Sequence, residues 1–239
     1  MRSLFFILFF SSLNLLAQND KLNVKYDVII GDDDKISKDN IISVYHKSAS
    51  ENAKYLSFTL SVNNLETYFY VNNTIEDSSS GGIAFAKAFS GFTSTTYSEL
   101  NSPYYYQSFD ESILGKYVLQ KVKIKYNWRL TTETKDISGF LCYKATFEDV
   151  VTNLLSGKES KFLVTAWYAP QIPISSGPLF YNGLPGLILE LDRRGVVFGA
   201  KQIEFNPIKE PYIERPDLNK LRDAKEVENL KLNYFNPKE

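Results

Sequence analysis

A tight turn that leads directly into an apolar strand is the feature that most restricts how this chain can fold. The turn motif consists of Gly183, Leu184, Pro185, Gly186, Leu187 and Ile188. Pro185 presets φ for the second position of a tight turn, and Gly186 suits the positive φ that a type II turn requires next. The leucines of Leu187–Leu191 then fall on one face of a strand, with Ile188 and Glu190 on the other. This pattern predicts a turn at the start of a half-buried strand.

Alternating apolar and polar residues recur along the rest of the chain and indicate an antiparallel sheet. Asn63-Asn64 between two such runs predicts a hairpin, and so does Asp192–Gly195. The predicted strands are Lys21–Ile30, Leu56–Val62, Leu65–Val71, Val118–Tyr126, Trp128–Lys135, Phe140–Glu148, Lys161–Ala169, Leu187–Leu191 and Val196–Phe205. We expect a mainly β fold: an antiparallel, strongly curved sheet or open half-barrel with one or two short covering helices.

Three segments show helical patterns. Ser37 can cap a helix that carries Ile41, Val44 and Tyr45, although the β-branched residues weaken this pattern. Phenylalanines recur at helical spacing in Ile83–Phe92, which predicts either a helix that covers the sheet or an exposed apolar patch for a partner or lipid. Asp217 is expected to cap a C-terminal helical tail over residues 217–231.

The N-terminus has the form of a secretory signal peptide. A positive start at Met1-Arg2 precedes the apolar run Leu4–Leu16, and Ala17 is a small residue suited to cleavage. Residues 1–17 are therefore expected to be removed, which leaves one β domain over residues 18–239 with no transmembrane segment. The mature chain is expected in the periplasm or to be secreted.

The charge balance and the single cysteine exclude several classes of protein. The chain has 27 basic and 28 acidic residues, so its overall charge gives no case for binding nucleic acid or anionic lipid. Cys142 is the only cysteine, which rules out an internal disulfide. Stability must therefore come from burial, and Cys142 is expected to be a small buried residue.

Catalytic chemistry has little support in the sequence. One histidine and one cysteine leave almost no Ser-His, Cys-His or zinc site, and no cofactor motif is present. Two carboxylate pairs remain, Glu133 with Asp136 and Glu190 with Asp192. Their neighbours Lys135, Arg193 and Arg194 favour local salt links over acid–base catalysis. We expect no catalytic residues, no metal and no cofactor.

Aromatic residues give the better case for a binding site. Neighbouring strand positions place the rings of Trp167 and Tyr168 on opposite faces of the sheet, so one of them needs a covering element or a ligand. The prolines in Pro170–Pro178 could form a rim beside that ring, or the segment could fold over it and bury it. The candidate ligand-binding residues are Trp167, Tyr168, Tyr104, Tyr105, Tyr106 and Trp128.

Four motifs resemble the pattern of the GLPGLI family: Trp128–Lys135, Gly139–Ala145, Ala166–Pro178 and the intact hexapeptide Gly183–Ile188. The resemblance implies an exported protein of Bacteroidetes-type bacteria with no assigned activity. Such proteins are often suspected of working beside outer-membrane uptake systems. The resemblance implies no catalytic residues.

The favoured function is that of a non-enzymatic envelope binding protein. It would hold an apolar or extended ligand, such as an envelope lipid or peptide, on the concave face, or dock a component of an outer-membrane uptake system. One alternative is a carboxylate-based, possibly metal-assisted enzyme centred on Glu133 and Asp136. Another is a structural envelope component without a ligand.

Overall fold

A computed structural model describes residues 21–31, 41–72, 81–109, 118–124, 126–152 and 157–235. The expected signal peptide and the helix cap at Ser37 lie outside these residues. The strands are β1 Lys21–Ile30, β2 Ser57–Asn63, β3 Glu66–Val71, β4 Thr95–Glu99, β5 Tyr104–Phe109, β6 Val118–Lys123, β7 Arg129–Ile137, β8 Phe140–Thr152, β9 Glu159–Ala169, β10 Leu187–Arg193, β11 Val196–Phe205 and β12 Leu221–Arg222. The helices are α1 Ile41–Asn52, α2 Gly81–Phe89 and α3 Ala224–Phe235.

All twelve strands of the described residues belong to one open sheet, in the order β12-β6-β5-β4-β3-β2-β1-β11-β10-β9-β8-β7. Every pairing is antiparallel except that of β12 with β6. The Ser138 side chain at the tip of the β7–β8 hairpin lies 3.5 Å from the carbonyl oxygen of Ala200 on β11, although β9 and β10 separate these elements in the sheet. The sheet therefore curls, and the predicted mainly β class with an open sheet and short helices is confirmed.

Two predicted hairpins form with the turn chemistry that a twisted sheet favours. Arg194 and Gly195 both have positive φ, 59° and 79°, as a type I′ turn requires. Asn64, with φ of 54°, occupies the turn between β2 and β3. The Ser138-Gly139 turn between β7 and β8 has the same signature, with φ values of 54° and 83°.

The main core lies on one face of the sheet, called the inner face. Phe58 on β2 is completely buried there, and its ring centroid lies 5.2–5.7 Å from those of Phe69, Phe92 and Phe198. The helical elements that cover this face contribute four buried residues to the core: Ala49, Ala53, Ile83 and Ala86. The predicted Ile83–Phe92 helix is thus present as α2 and covers the sheet, with Phe92 buried just beyond its end.

The C-terminal tail differs from the prediction. Asp217 caps only a 3-10 turn, Leu218–Lys220, by accepting a hydrogen bond from the backbone of Asn219. Leu221–Arg222 then pairs with β6, and a second cap at Asp223 accepts the backbone N–H of Glu226. Helix α3 therefore starts at Ala224, because pairing with the sheet interrupts the helical pattern.

The Pro185-Gly186 turn is not of type II. The Gly186 N–H bonds the Leu184 carbonyl at 2.8 Å, which closes a three-residue turn around Pro185. Gly186 has a φ of 159° instead of the value near 80° that a type II turn needs. The reason is packing: Gly186 lies directly against the backbone where β9 ends, at Ala169 and Pro170.

The predicted alternation of β10 also fails at its start. Leu187, Ile188 and Leu189 are all completely buried, and the register with β9 shifts between Ile188 and Glu190. Ile188 is covered because Gly177 packs against its side chain, so closely that a Cβ at Gly177 would lie 2.6 Å from the Ile188 Cβ. The start of β10 is therefore enclosed on both faces.

Residues 170–186 form a cover segment over the inner face. Its backbone donates from Ile174 to Ile172 and from Ser176 to Ile174, which folds the chain into successive tight turns. It is tied to β10 by bonds from the Leu187 and Ile188 N–H groups to the Ile172 and Ser176 carbonyls, at 3.0 and 2.9 Å. The expectation that this proline-containing segment crosses the sheet outside regular pairing matches its course.

A second segment, residues 206–217, lies on the outer face. Arg215 donates two hydrogen bonds of 2.6 Å to the Glu66 carboxylate, which also accepts from Tyr97 at 2.8 Å. Glu214 accepts from Tyr68 at 2.8 Å and from Tyr212 at 3.2 Å. Two carboxylates therefore fasten this segment to β3 and β4.

None of the described helices is long and apolar enough to span a membrane.

We expect the Glu66 link to stabilise the fold in a pH-dependent way. Hydrogen bonds from Arg215 hold the pKa of Glu66 below its ordinary value of about 4.5. A lowered pKa stabilises the folded state fully above the ordinary value, and this contribution disappears as the pH falls through the lowered pKa. Denaturant titrations should show that wild type loses more stability between pH 7 and pH 3 than Glu66→Gln does. Glu148→Gln, which breaks an exposed pair with Lys161, is the control and should keep the wild-type pH dependence.

Candidate functional site

The six predicted aromatic residues do not form one site, because they divide between the two faces of the sheet. Trp167, Tyr104 and Tyr106 lie on the outer face, whereas Tyr105, Tyr168 and Trp128 lie on the inner face. The cover segment packs on the side of Tyr168 and leaves that side chain only 5% exposed. The segment therefore buries Tyr168 and does not form a rim beside Trp167.

Trp167 sits among salt-bridged side chains on the outer face. The Lys135 ammonium lies 4.4 Å from the centroid of the indole ring and that of Lys144 lies 5.9 Å away. Lys135 pairs with Glu190 at 2.7 Å, and Lys144 pairs with Glu133 at 3.0 Å. Each carboxylate thus neutralises a lysine, and the ring is covered by the protein's own cations.

The predicted carboxylate pairs are divided between salt links and turn caps. Glu133 and Glu190 are engaged by lysines, although Glu190 was expected to meet Arg193 or Arg194. Asp136 accepts the backbone N–H of Gly139 at 3.1 Å, and Asp192 accepts that of Gly195 at 3.0 Å. Within the described ranges, no group of three or more histidine, cysteine or acidic side chains could hold a metal ion.

Tyr104 and Tyr106 on the outer face contact the cation of β6. The Lys121 ammonium lies 4.3 Å from the ring of Tyr104 and 5.7 Å from that of Tyr106. The Tyr106 ring also lies 6.1 Å from Tyr97, next to the segment that Glu66 fastens. These rings therefore lie on a half-exposed surface of the outer face.

The inner face carries a continuous aromatic cluster at the edge of the cover segment. Its members are Tyr105, Tyr126, Trp128, Phe147, Phe180 and Tyr181. Tyr105 stacks on Phe180 with centroids 5.5 Å apart and planes 9° from parallel. Trp128 meets Phe147 edge to face at 4.8 Å. Tyr105 and Tyr181 are buried, while the other four rings are half-exposed, so the cluster presents aromatic surface to solvent.

Polar groups of this aromatic cluster tie it to the cover segment. Trp128 Nε1 donates to the Asn182 carbonyl at 2.8 Å, and the Tyr126 hydroxyl donates to the Phe180 carbonyl at 3.3 Å. Burial raises the pKa of Tyr105 to about 12, and it raises the pKa values of Tyr126 and Tyr181 as well. These hydroxyls are therefore neutral at physiological pH. They can donate and accept hydrogen bonds, but they supply neither a base nor a nucleophile.

A groove of about 280 Å³ adjoins the aromatic cluster at Asn182 and Gly183. Its walls come from the β4–β5 turn, the end of β6 and the cover segment. The lining residues are Ser98, Glu99, Asn101, Ser102, Pro103, Ile124, Ser175, Asn182 and Gly183. The volume is close to the small end of the range for ligand pockets, about 300–1,000 Å³. The groove can therefore accommodate part of an extended molecule.

Asn182 links the groove to a small internal cavity. The cavity, of about 10 Å³, is also lined by Tyr181 and Ser98 and has the size of a single water molecule. Asn182 is 8% exposed, and its Oδ1 has no hydrogen-bond partner among the described residues. Buried polar atoms normally have one, so the Asn182 oxygen can accept a hydrogen bond from a water in the cavity or from a ligand.

Most of this site was missed at the sequence level. Tyr105 and Trp128 were predicted, but Tyr126, Phe147, Phe180, Tyr181 and Asn182 were not. Phe180, Tyr181 and Asn182 stand between Pro178 and Gly183, directly before the hexapeptide. The available signal in the sequence was the presence of two large aromatic residues and an amide in a segment that cannot pair as a strand.

Cys142 is expected to be unreactive in the folded protein. Its side chain is completely buried, and burial raises the pKa of the thiol to about 11. Because the thiolate is the reactive form, an aromatic disulfide reagent at pH 8 should label the native protein very slowly and the denatured protein at once. Rapid labelling of the native chain would contradict the complete burial of Cys142 on β8.

The fold and this site define a class: a mainly antiparallel β protein with an open, curled sheet and an aromatic, ion-poor surface beside a cover segment. A family model described as a protein of unknown function (Porph_ging), a Bacteroidetes-associated domain, matches residues 156–190. That match contains the second half of the β8–β9 hairpin, the cover segment and the hexapeptide.

Solved structures show the same fold in a longer protein. Two structures of PNGF-II, in space groups P21 and C2, align over 90% of this chain with a TM-score of 0.52, at 15% and 14% identity. The aligned part is only 34% and 33% of those chains, so this chain spans about a third of their length. At this identity the likeness concerns the fold alone. No curated protein sequence matches the chain significantly.

Proposed function

We propose that this chain is a non-enzymatic binding protein of the bacterial envelope that holds an extended ligand along the inner-face aromatic cluster and the adjoining groove. The observation that carries the proposal is the open groove of about 280 Å³, which continues the half-exposed aromatic surface and ends at an unpartnered buried amide. Rigid aromatic surface beside convergent polar groups is the usual composition of a ligand site.

Three further observations support binding without catalysis. The candidate carboxylates Glu133 and Glu190 are neutralised by lysines on the opposite face of the sheet. The tyrosine hydroxyls of the aromatic cluster have raised pKa values. Cys142 is buried away from the groove. A site built to bind needs none of the activated groups that an enzyme requires.

The proposal also includes the cellular location of the protein and its family. The signal-peptide pattern of residues 1–17 favours export to the periplasm or beyond, and the GLPGLI motifs favour a role beside an outer-membrane uptake system. The match of the domain of unknown function to residues 156–190 agrees with a Bacteroidetes-type protein of unassigned activity. The ligand would then be a molecule that such a system handles at the cell surface.

A thermal-shift screen against fractionated envelope extract tests the proposal. Wild type should be stabilised by at least one fraction, because a ligand that binds only the folded state raises its melting temperature. Ile124→Phe, which enlarges a half-exposed residue lining the groove, should lose that shift. Trp167→Phe on the outer face is the matched control and should retain it. Absence of a shift with every fraction, or an equal shift for Ile124→Phe, would overturn the proposal and favour a structural component without a ligand.

A further inference from the structure

The side chains that line the groove are almost all uncharged. Four of them carry neutral hydroxyl or amide groups: Ser98, Asn101, Ser102 and Ser175. Asn182 adds a fifth, and Pro103 and Ile124 supply apolar surface. Among the residues that the structure describes, no lysine or arginine lines the groove. A site without cations offers no compensation for the desolvation of a phosphate, sulfate or carboxylate, so anionic ligands are disfavoured.

The single titratable residue of the lining, Glu99, belongs to the outer face. Its strand partner on β3 is Glu66, whose carboxylate is bound by Tyr97 and Arg215 on that face. Directly paired residues of an antiparallel sheet project on the same side. The register therefore directs the Glu99 carboxylate to the outer face, so the described lining residues favour a neutral ligand over a cation.

Three backbone donors around the groove are already engaged. The Ile124 N–H bonds the Pro103 carbonyl at 2.9 Å, and the Ser102 N–H bonds the Glu99 carbonyl at 3.0 Å. The Gly183 N–H bonds the Ser175 hydroxyl at 3.0 Å. A peptide that adds to a sheet edge needs free backbone donors and acceptors in a row. The engaged donors favour recognition by side-chain hydroxyls and amides, together with the face of an aromatic ring.

Trp128 provides that ring at the junction of the groove and the aromatic cluster. Its indole lies about a van der Waals contact from Gly183, since a Cβ added at Gly183 would be 3.9 Å from Cδ1 and Nε1. The indole is half-exposed, and its N–H is satisfied by Asn182. A flat ring beside neutral hydrogen-bonding groups matches a ligand with apolar faces and hydroxyl-bearing edges.

We infer that the groove binds a neutral oligosaccharide, with one sugar ring against Trp128 and hydroxyl groups directed to Asn182 and to the serines of the β4–β5 turn. The inference rests on the proposed binding function and names its ligand class. Asn182 is the specificity-determining residue, because it lines the groove and its amide oxygen has no hydrogen-bond partner among the described residues.

The two tryptophans of the chain allow a direct measurement. In a Trp167→Phe background, Trp128 is the only tryptophan and reports on the groove. The emission of this protein is titrated with four neutral or charged probes: maltohexaose, cellohexaose, a polygalacturonate hexamer and capped penta-alanine. At least one neutral hexasaccharide should shift the emission with saturation, and the polygalacturonate and the peptide should not.

A second variant separates the ligand class from folding. Asn182→Ala in the same background should weaken binding of that hexasaccharide at least tenfold, and its melting temperature should stay close to that of the parent because the removed oxygen has no partner. Binding of penta-alanine or polygalacturonate in preference to both sugars would overturn the saccharide assignment while leaving the binding function intact. If envelope fractions stabilise wild type but no hexasaccharide shifts Trp128, the ligand class is wrong. If no fraction stabilises it, the binding function itself is wrong.

Discussion

Replacing Gly186 with alanine is expected to destabilise the fold by about 3 kcal/mol, at the upper end of what overpacking usually costs. A Cβ at this position would lie 2.4 Å from the Ala169 carbonyl oxygen and 2.8 Å from the Pro170 nitrogen. Both atoms belong to the backbone where β9 ends, so no side-chain rotation can relieve the overlap. The free energy of unfolding, measured by denaturant titration, checks the expectation.

Gly199→Ala is the matched control for this substitution. Gly199 also lies in a strand of the same sheet, but an added Cβ would meet no atom within 4 Å, and its φ is not positive. We expect this variant to change the free energy of unfolding by no more than about 0.5 kcal/mol. If Gly186→Ala were as stable as Gly199→Ala, the close approach of the hexapeptide turn to β9 would be wrong.

Replacing Phe58 with alanine should cost about 4 kcal/mol, within the range for deleting a large buried ring. Phe58 is completely buried on the inner face, and its ring contacts those of Phe69, Phe92 and Phe198. Phe69 lies on β3, Phe92 follows α2 and Phe198 lies on β11. The cavity left by the substitution would therefore lie between the covering helices and the sheet. Denaturant unfolding of the variant measures the effect.

Tyr55→Ala provides the corresponding control on the surface. Tyr55 is an aromatic residue three positions away in sequence, and it is 44% exposed. Its removal should change the free energy of unfolding by less than about 1 kcal/mol. Equal effects at Tyr55 and Phe58 would contradict the position of the core beneath α1 and α2.

The hydrogen bond of Tyr26 shows how tightly the hexapeptide is built into this core. The Tyr26 hydroxyl on β1 donates to the Ile188 carbonyl at 2.7 Å although its side chain is completely buried. It uses the carbonyl at the point where the register of β10 shifts. Because the pairing of β10 is irregular at this point, the Ile188 carbonyl is free to accept a hydrogen bond. The buried Tyr26 hydroxyl donates that bond, so both groups are satisfied.

Local pattern was sufficient for nine of the strands and for the two predicted hairpins, but β4, β5 and β12 were not predicted. The alternation in Lys21–Ile30 matches β1 residue for residue, and the positive φ values at Arg194 and Gly195 follow from turn chemistry alone. The same local reasoning failed at Gly186 and at Asp217. In both places a tertiary contact, with the end of β9 or with β6, replaced the local preference.

The aromatic cluster forms through tertiary packing, which the spacing of its residues along the sequence does not predict. Tyr105, Trp128 and Tyr181 come from three separate parts of the chain and meet only because the cover segment folds back over the inner face. Conversely, Trp167 and Tyr168 are neighbours in sequence but lie on opposite faces of the sheet. The opposite faces of Trp167 and Tyr168 follow from their neighbouring strand positions, as predicted, and the six candidate residues do not form one site.

The amino-acid sequence by itself determined the mainly β class, the hairpins and the scarcity of catalytic groups, because these depend on residues that are close together in the chain. Only the tertiary structure decided which aromatic rings share a face, where the groove lies and which carboxylates are neutralised. Those properties depend on the course of residues 170–186 and 206–217 across the two faces of the sheet, and that course is set by long-range packing.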